Sequence, residues 1–113
     1  MMIRVLDFAA VGEIVTGVAL LIAPSWVGQV LLGEPLVGVA IAPARVAGIA
    51  LCALGVGCLL NSPLLGMSAY SAAVALYLGY VGSIGGLAGM LLWPAVAIHA
   101  VLSILLFRIW TKT

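Results

Sequence analysis

Residues 39–60 read VAIAPARVAGIALCALGVGCLL, a continuous apolar stretch in which Arg45 is the one charged side chain. A membrane-spanning helix needs about 20 predominantly apolar residues, so this stretch is long enough to cross a bilayer. Pro43 falls in its first turns, where a missing backbone N–H costs least. The stretch therefore predicts a transmembrane helix.

The composition of the whole chain points the same way. Of its 113 residues, 66% are hydrophobic and 6% are charged, with four Lys or Arg and three Asp or Glu. Soluble domains carry about 25% charged residues, so a soluble enzyme or signalling domain is excluded. Four basic residues are also too few for a phosphate-binding surface, which excludes a nucleic-acid partner. The composition predicts an integral membrane protein, and the lipid bilayer is therefore an expected partner.

Three further apolar stretches flank residues 39–60. The predicted spans lie at about 3–23, 39–60, 67–81 and 90–110, with a short interfacial helix at about 25–32. Pro24 ends the first span, and Asn61-Ser62-Pro63 forms a turn after the second. Asp7 and Glu13 interrupt the first apolar stretch, so it is interpreted as a retained span and not as a signal peptide. We expect an all-α, single transmembrane domain, 1–113, folded as a four-helix up-down bundle.

The distribution of charge predicts the orientation of these spans. Arg4, Arg108 and Lys112 lie near the two termini, whereas the first loop carries Glu34. Basic residues are enriched on the cytoplasmic side of membrane proteins. We therefore expect both termini in the cytoplasm of a bacterial cytoplasmic (inner) membrane. Aromatic residues expected at the inner interface are Tyr70, Phe107 and Trp110.

Small residues recur at intervals of four in two of the spans. In the second span they are Ala40, Ala44, Gly48 and Cys52, and in the third Ser71, Ala75 and Gly79. Such stripes let helix backbones approach closely in lipid, where dispersion and weak hydrogen bonds drive association. They predict helix packing, either within this chain or against another copy or another subunit.

The ionisable residues inside the spans are the candidates for chemistry. Glu13 and His99 both fall near the midplane, and the long side chain of Arg45 reaches a similar depth from the outer side. In an up-down bundle the first helix neighbours the second and the fourth, so the three side chains are expected to converge, with Tyr77 nearby. One interpretation is a proton or ion site. The other is a neutralised Glu13–Arg45 pair that holds the helices together.

Other kinds of site have little support in the sequence. Cys52 and Cys58 lie six residues apart, on different helix faces, and resemble small buried apolar residues. No cluster of metal ligands is visible and no nucleophile lies beside a base, which argues against an enzyme and against a metal site. Bound lipids are expected, and no other cofactor is implied except through His99.

One helix contains a local pattern typical of pigment binding. Residues 95–99 read AVAIH and are followed by Arg108 and Trp110. This pattern resembles the single membrane helix of bacterial light-harvesting polypeptides, in which a small residue four before a His makes room for a bacteriochlorophyll ring. The resemblance covers one span of four. It implies His99 as an axial ligand of a pigment, or of haem as a related possibility.

Two resemblances concern the whole chain. Its length, its four spans and Glu13 are similar to the small multidrug resistance transporters, in which a first-helix Glu binds protons and cationic drugs. The segment at 25–32 and Arg45 depart from that family. The pattern of residues 13–24, 31–33, 44–49 and 54–55 resembles small bacterial four-helix membrane proteins that are broadly DoxX-like. That resemblance implies a compact bundle and no particular reaction.

Three functions follow as expectations. The first is an accessory or structural subunit of a larger membrane complex, or a homo-oligomer, because the loops are too short to form a recognition surface. The second is a small proton-coupled transporter that uses Glu13, Arg45 and His99. The third is a pigment or haem binder through His99.

Overall fold

The computed structural model describes residues 2–86 and 89–112, with side chains from residue 5 onward. Its helices are α1 (Met2–Ile22), α2 (Pro24–Leu32), α3 (Ile41–Leu59, preceded by a 3-10 turn at Gly38–Ala40), α4 (Pro63–Ser83) and α5 (Leu92–Lys112). The described chain is therefore all-helical, as predicted. Helices α1, α3, α4 and α5 are each long and apolar enough to cross a membrane.

The turn between α3 and α4 is specified by three consecutive residues. Asn61 adopts a left-handed conformation with φ 52°, and the N–H of Ser62 donates to the carbonyl of Gly57 at 2.9 Å. These are the features of a Schellman C-cap. The Ser62 hydroxyl then accepts a hydrogen bond from the N–H of Leu65 at 3.1 Å, and Pro63 occupies the first turn. Because this cap is complete, α4 begins at Pro63, four residues before the predicted start of the third span at 67.

The segment after the short helix α2 folds back on that helix. Gly33, with φ 86°, ends α2, and the Ser25 hydroxyl donates to the Leu36 carbonyl at 2.5 Å. A Cβ built on Gly28 would lie 2.7 Å from Cγ of Leu36. Residues 34–36 therefore pack directly on the helix, and Gly28 is required because a side chain there would displace them.

The four long helices stand side by side in the order of the chain. Contacts join α1 to α3, α3 to α4 and α4 to α5, whereas no described residue of α1 approaches α4 or α5, and α3 does not reach α5. The molecule measures 41 × 35 × 16 Å, the thinnest dimension being little more than the diameter of one helix with its side chains. This arrangement differs from the expected bundle, in which the first helix neighbours the last.

The geometry of α3 explains the row. Its contacts with α1 are made at Gly48, Cys52 and Gly55, and its contacts with α4 at Ala53 and Gly57. At 3.6 residues per turn these two sets point about 150° apart around the helix axis. Helices α1 and α4 therefore lie on nearly opposite sides of α3 and cannot meet.

The contact between α1 and α3 is a close approach of two antiparallel backbones. A Cβ on Gly17 would lie 2.6 Å from the Gly48 carbonyl oxygen, and one on Gly48 would lie 2.7 Å from the Gly17 carbonyl oxygen. A Cβ on Gly55 would lie 2.6 Å from the Ala10 carbonyl oxygen. Real Cβ atoms do not approach other atoms this closely, so glycine at these positions determines the spacing of the two helices.

The two stripes of small residues are placed differently. In the first stripe, Gly48 and Cys52 contact α1, Ala44 is half-buried, and Ala40 is exposed in the 3-10 turn. In the second stripe, Ser71 is buried, while a Cβ on Gly79 would meet no atom within 4 Å. Gly79 therefore does not mark a close helix contact within this chain.

Replacing Gly17 by Ala tests the α1–α3 contact. The new methyl group would collide with the Gly48 carbonyl and with Cys52, so the helices must separate. We expect the free energy of unfolding in detergent to fall by about 1–3 kcal/mol, the usual cost of overpacking. Loss of helical circular dichroism during titration with a denaturing detergent measures this change.

Gly12→Ala is the matched control, since it makes the same change on the same helix. A Cβ on Gly12 meets nothing within 4 Å. Stability should stay the same or rise slightly, because Ala has the higher helix propensity. Equal losses in both variants would contradict the close approach at Gly17.

Candidate functional site

Arg45 stabilises the end of a neighbouring helix. Its Nε donates to the Leu21 carbonyl oxygen at 3.2 Å, and the side chain is half-buried. Leu21 lies in the last turn of α1, where carbonyl groups have no partner within the helix. A cation at this end also interacts favourably with the helix dipole. Arg45 therefore acts as a C-terminal cap supplied to α1 by α3.

Glu13 lies on α1, about two turns before Leu21. Its side chain is half-buried on α1, and within the described part of the chain it has no recorded hydrogen bond or ion pair. Glu13 and Leu21, the partner of Arg45, are eight residues apart, or about 12 Å along the helix axis. The structure therefore does not bring Glu13 and Arg45 together as an ion pair.

His99 lies between α4 and α5, away from the other ionisable residues. Its ring packs edge-on against Tyr70, with the ring centroids 5.8 Å apart and the planes at 83°. Its Nδ1 is buried and has no hydrogen-bond partner. Since the described residues of α5 do not contact α1 or α3, His99 is not brought to Glu13 or Arg45.

Tyr77, the fourth residue of the predicted cluster, is half-buried on α4. The structure records no hydrogen bond between it and the other three within the described part of the chain. Among the described residues, no three His, Cys, Asp or Glu side chains are grouped so that they could hold a metal ion. The four residues thus occupy separate environments on four helices.

An apolar groove that the sequence did not reveal lies among helices α1, α3 and α4. It has a volume of about 430 Å³ and lies beside the α3–α4 turn. Its floor is built by small residues and its rim by larger ones: Ala50, Ala53, Gly57 and Gly66 below, and Leu6, Leu54, Met67 and Tyr70 around them. Gly57 and Gly66 face each other where α3 and α4 approach closely: a Cβ on Gly66 would lie 3.0 Å from the Ala53 carbonyl oxygen.

Polar groups occur at two levels of this groove. Asn61 lies at its end beside the turn, and Tyr70 lies deeper, on the wall shared with His99. Within the described chain, neither the Asn61 carboxamide nor the Tyr70 hydroxyl has a recorded hydrogen bond. Tyr70 was expected at the inner interface as an anchor, and the structure shows that its ring packs on His99. No motif predicted this groove, because its residues come from three helices.

Comparison with known proteins adds no relationship at this point. No family model, curated protein or solved structure matches the chain. The functional argument therefore rests on the arrangement of its own residues.

A double-mutant cycle tests whether Glu13 and Arg45 act separately. Arg45→Gln removes a charged hydrogen bond to Leu21, and we expect it to lower the unfolding free energy by about 1.5 kcal/mol. Because Glu13 does not contact Arg45, combining Glu13→Gln with Arg45→Gln should give additive losses, with a coupling below about 0.5 kcal/mol. Denaturing-detergent titrations of the four proteins measure the coupling. A coupling well above 1 kcal/mol would show that the two side chains form a pair.

His99→Phe tests the environment of the imidazole. Phe keeps an aromatic ring against Tyr70 and removes the buried Nδ1 that has no partner. We expect the unfolding free energy to stay equal or rise by up to about 1 kcal/mol, because an unsatisfied buried polar atom is removed. An absorption spectrum of the two proteins checks the pigment interpretation. A visible band present in the wild type and lost in His99→Phe would establish His99 as a ligand of a chromophore.

Proposed function

We propose that this protein is a small multi-pass membrane protein that acts as an accessory or structural subunit, either of a larger membrane complex or of a homo-oligomer. One observation carries the proposal: the four long helices form a single row that leaves both edge helices open. Helix α5 contacts α4 alone, and none of its described side chains is buried.

The open face of α1 has the regularity of a packing surface. Its exposed apolar side chains recur at intervals of three and four residues: Phe8, Val11, Val15, Val18 and Ile22. This spacing places them on one face of the helix, opposite the face that holds Gly17 against α3. Such a face can pack against a second helix or against lipid. Helix α5 leaves an open face at the other edge of the row.

The proposed location is the cytoplasmic (inner) membrane of a bacterium, with both termini in the cytoplasm. Neighbouring helices in the row are antiparallel, so the start of α1 and the end of α5 lie on the same side. Arg108 and Lys112 lie near that side, and Glu34 lies in the loop on the other. The positive-inside rule supports this orientation. The DoxX-like resemblance is kept as part of the same proposal.

The separation of the ionisable residues favours this function over the two alternatives. Proton-coupled transport through Glu13, Arg45 and His99 needs the three groups to exchange protons or share an ion. Arg45 instead caps α1, and the described residues of α5 do not contact α1 or α3. Pigment or haem ligation needs an open ring nitrogen on His99, whereas the ring packs edge-on against Tyr70 and its Nδ1 is buried.

Site-directed photo-crosslinking tests the subunit proposal. Val101 is 55% exposed on α5, whereas Ser103 faces α4, since its carbonyl accepts a hydrogen bond from Ser68. In a variant without Cys52 and Cys58, a photoreactive maleimide on Val101→Cys should crosslink a second polypeptide in native membranes. The same probe on Ser103→Cys should give clearly less of this product, because that position is half-buried on the side of α5 that faces α4.

Native mass spectrometry of the gently extracted wild type then gives the stoichiometry. The proposal expects a fixed number of additional subunits, whether copies of this chain or another membrane protein. A lone monomer, with lipid as the only crosslinked product at Val101, would contradict it.

A further inference from the structure

We propose that the groove beside the α3–α4 turn binds one acyl chain of a membrane phospholipid. This inference rests on the membrane location proposed above and is independent of the proposed association with other subunits. It assigns a role to residues of three helices that the subunit function does not use.

The length of the groove matches one leaflet of a bilayer. It extends along α3 from Asn61, at the turn, to Ala50, eleven residues away, or about 16 Å along the helix axis. The hydrocarbon core of a bilayer is about 30 Å thick, so one leaflet is about 15 Å deep. Because the turn lies at one end of both α3 and α4, an acyl chain that enters there would reach the midplane at Ala50.

The lining of the groove matches the chemistry of an acyl chain. Leu6, Leu54 and Met67 surround a floor of alanine and glycine, and none of the described lining residues is charged. In lipid or detergent the acyl chain gains by close packing in a groove of suitable width, where many small dispersion contacts add up. The groove is thus suited to an unbranched hydrocarbon chain and not to a charged or bulky polar ligand.

The polar end of the groove matches the polar end of a lipid chain. Asn61 lies beside the turn, and its carboxamide has no recorded partner within the described chain. An amide N–H₂ group at this level can donate to the ester carbonyl that joins an acyl chain to glycerol. None of the described lining residues is Lys or Arg, so these residues offer no cationic partner to the headgroup phosphate. The site should therefore select for the acyl chain and be indifferent to the headgroup.

Native mass spectrometry with defined lipids tests the proposal. The protein in a mild detergent is supplied with phosphatidylethanolamine or phosphatidylglycerol carrying the same acyl chains. We expect one lipid retained per chain, to the same extent for both headgroups. Strong preference for one headgroup, or retention of detergent alone, would overturn the proposal.

Ala50→Phe fills the deep end of the groove, and Ala47→Phe makes the same change on an exposed face of α3 outside it. Lipid retention should fall severalfold in Ala50→Phe, because the phenyl ring takes the place of the last methylenes of the chain. Ala47→Phe should behave as the wild type. Equal retention in all three proteins would overturn the proposal.

Asn61→Gly removes the carboxamide while keeping a residue that adopts the left-handed conformation of the turn. We expect severalfold weaker lipid retention with an unchanged helical spectrum. Retention equal to the wild type would remove the proposed role of Asn61 and overturn the assignment of the polar end.

The groove also contains a natural probe, which allows a test that leaves all of its described lining residues unchanged. Cys58 lines the groove, and in a Cys52→Ala background it is the one remaining thiol. Added phospholipid should slow its reaction with a membrane-permeant maleimide, and an unchanged rate would overturn the proposal. Release of the protein from membranes by an alkaline wash would instead contradict the membrane location, which separates failure of the proposed function from failure of this inference.

Discussion

The close approach of α1 and α3 is the constraint on which the rest of the structure depends. Gly17 and Gly48 bring the two backbones together because neither carries a Cβ, and Gly55 allows the same contact one level further along. With the helices this close, the Arg45 side chain on α3 reaches the last turn of α1 at Leu21. The opposite side of α3 then remains available to α4.

Contacts with the backbone explain how the charge of Arg45 is tolerated in an apolar helix. An ionised group in lipid is costly unless it is compensated, and Arg45 is compensated by a backbone carbonyl and a helix dipole. No carboxylate is needed for this, which leaves Glu13 to a separate environment. The structure thus places Arg45 and Glu13 in separate environments, whereas the sequence predicted a shared one. Charges at similar depth in a membrane need not share a site when they belong to helices that do not touch.

Much of the helical framework could be predicted from the sequence, and the neighbours of each helix could not. Apolar length and the turn signals of Asn61 and Pro63 are local properties, so they predict the spans and the hairpin between α3 and α4. The convergence of Glu13 and His99 was inferred from depth under the assumption of a closed bundle. The depth of a residue in the membrane follows from its position along one helix. Which helices are neighbours depends instead on which face of each helix carries the small residues. The groove was not predicted for the same reason.

The row of helices has a consequence for biogenesis. Every contact between long helices joins spans that are successive in the chain, from α1 to α3, from α3 to α4 and from α4 to α5. Such a local topology has a low entropic cost of loop closure. Each helical hairpin can therefore form before the next span is inserted. Assembly can therefore proceed during synthesis, with each new helix packing on the one inserted before it, and α5 is the last to be added. In a closed bundle, the face of the first helix that packs on the last would stay uncovered until the last had emerged.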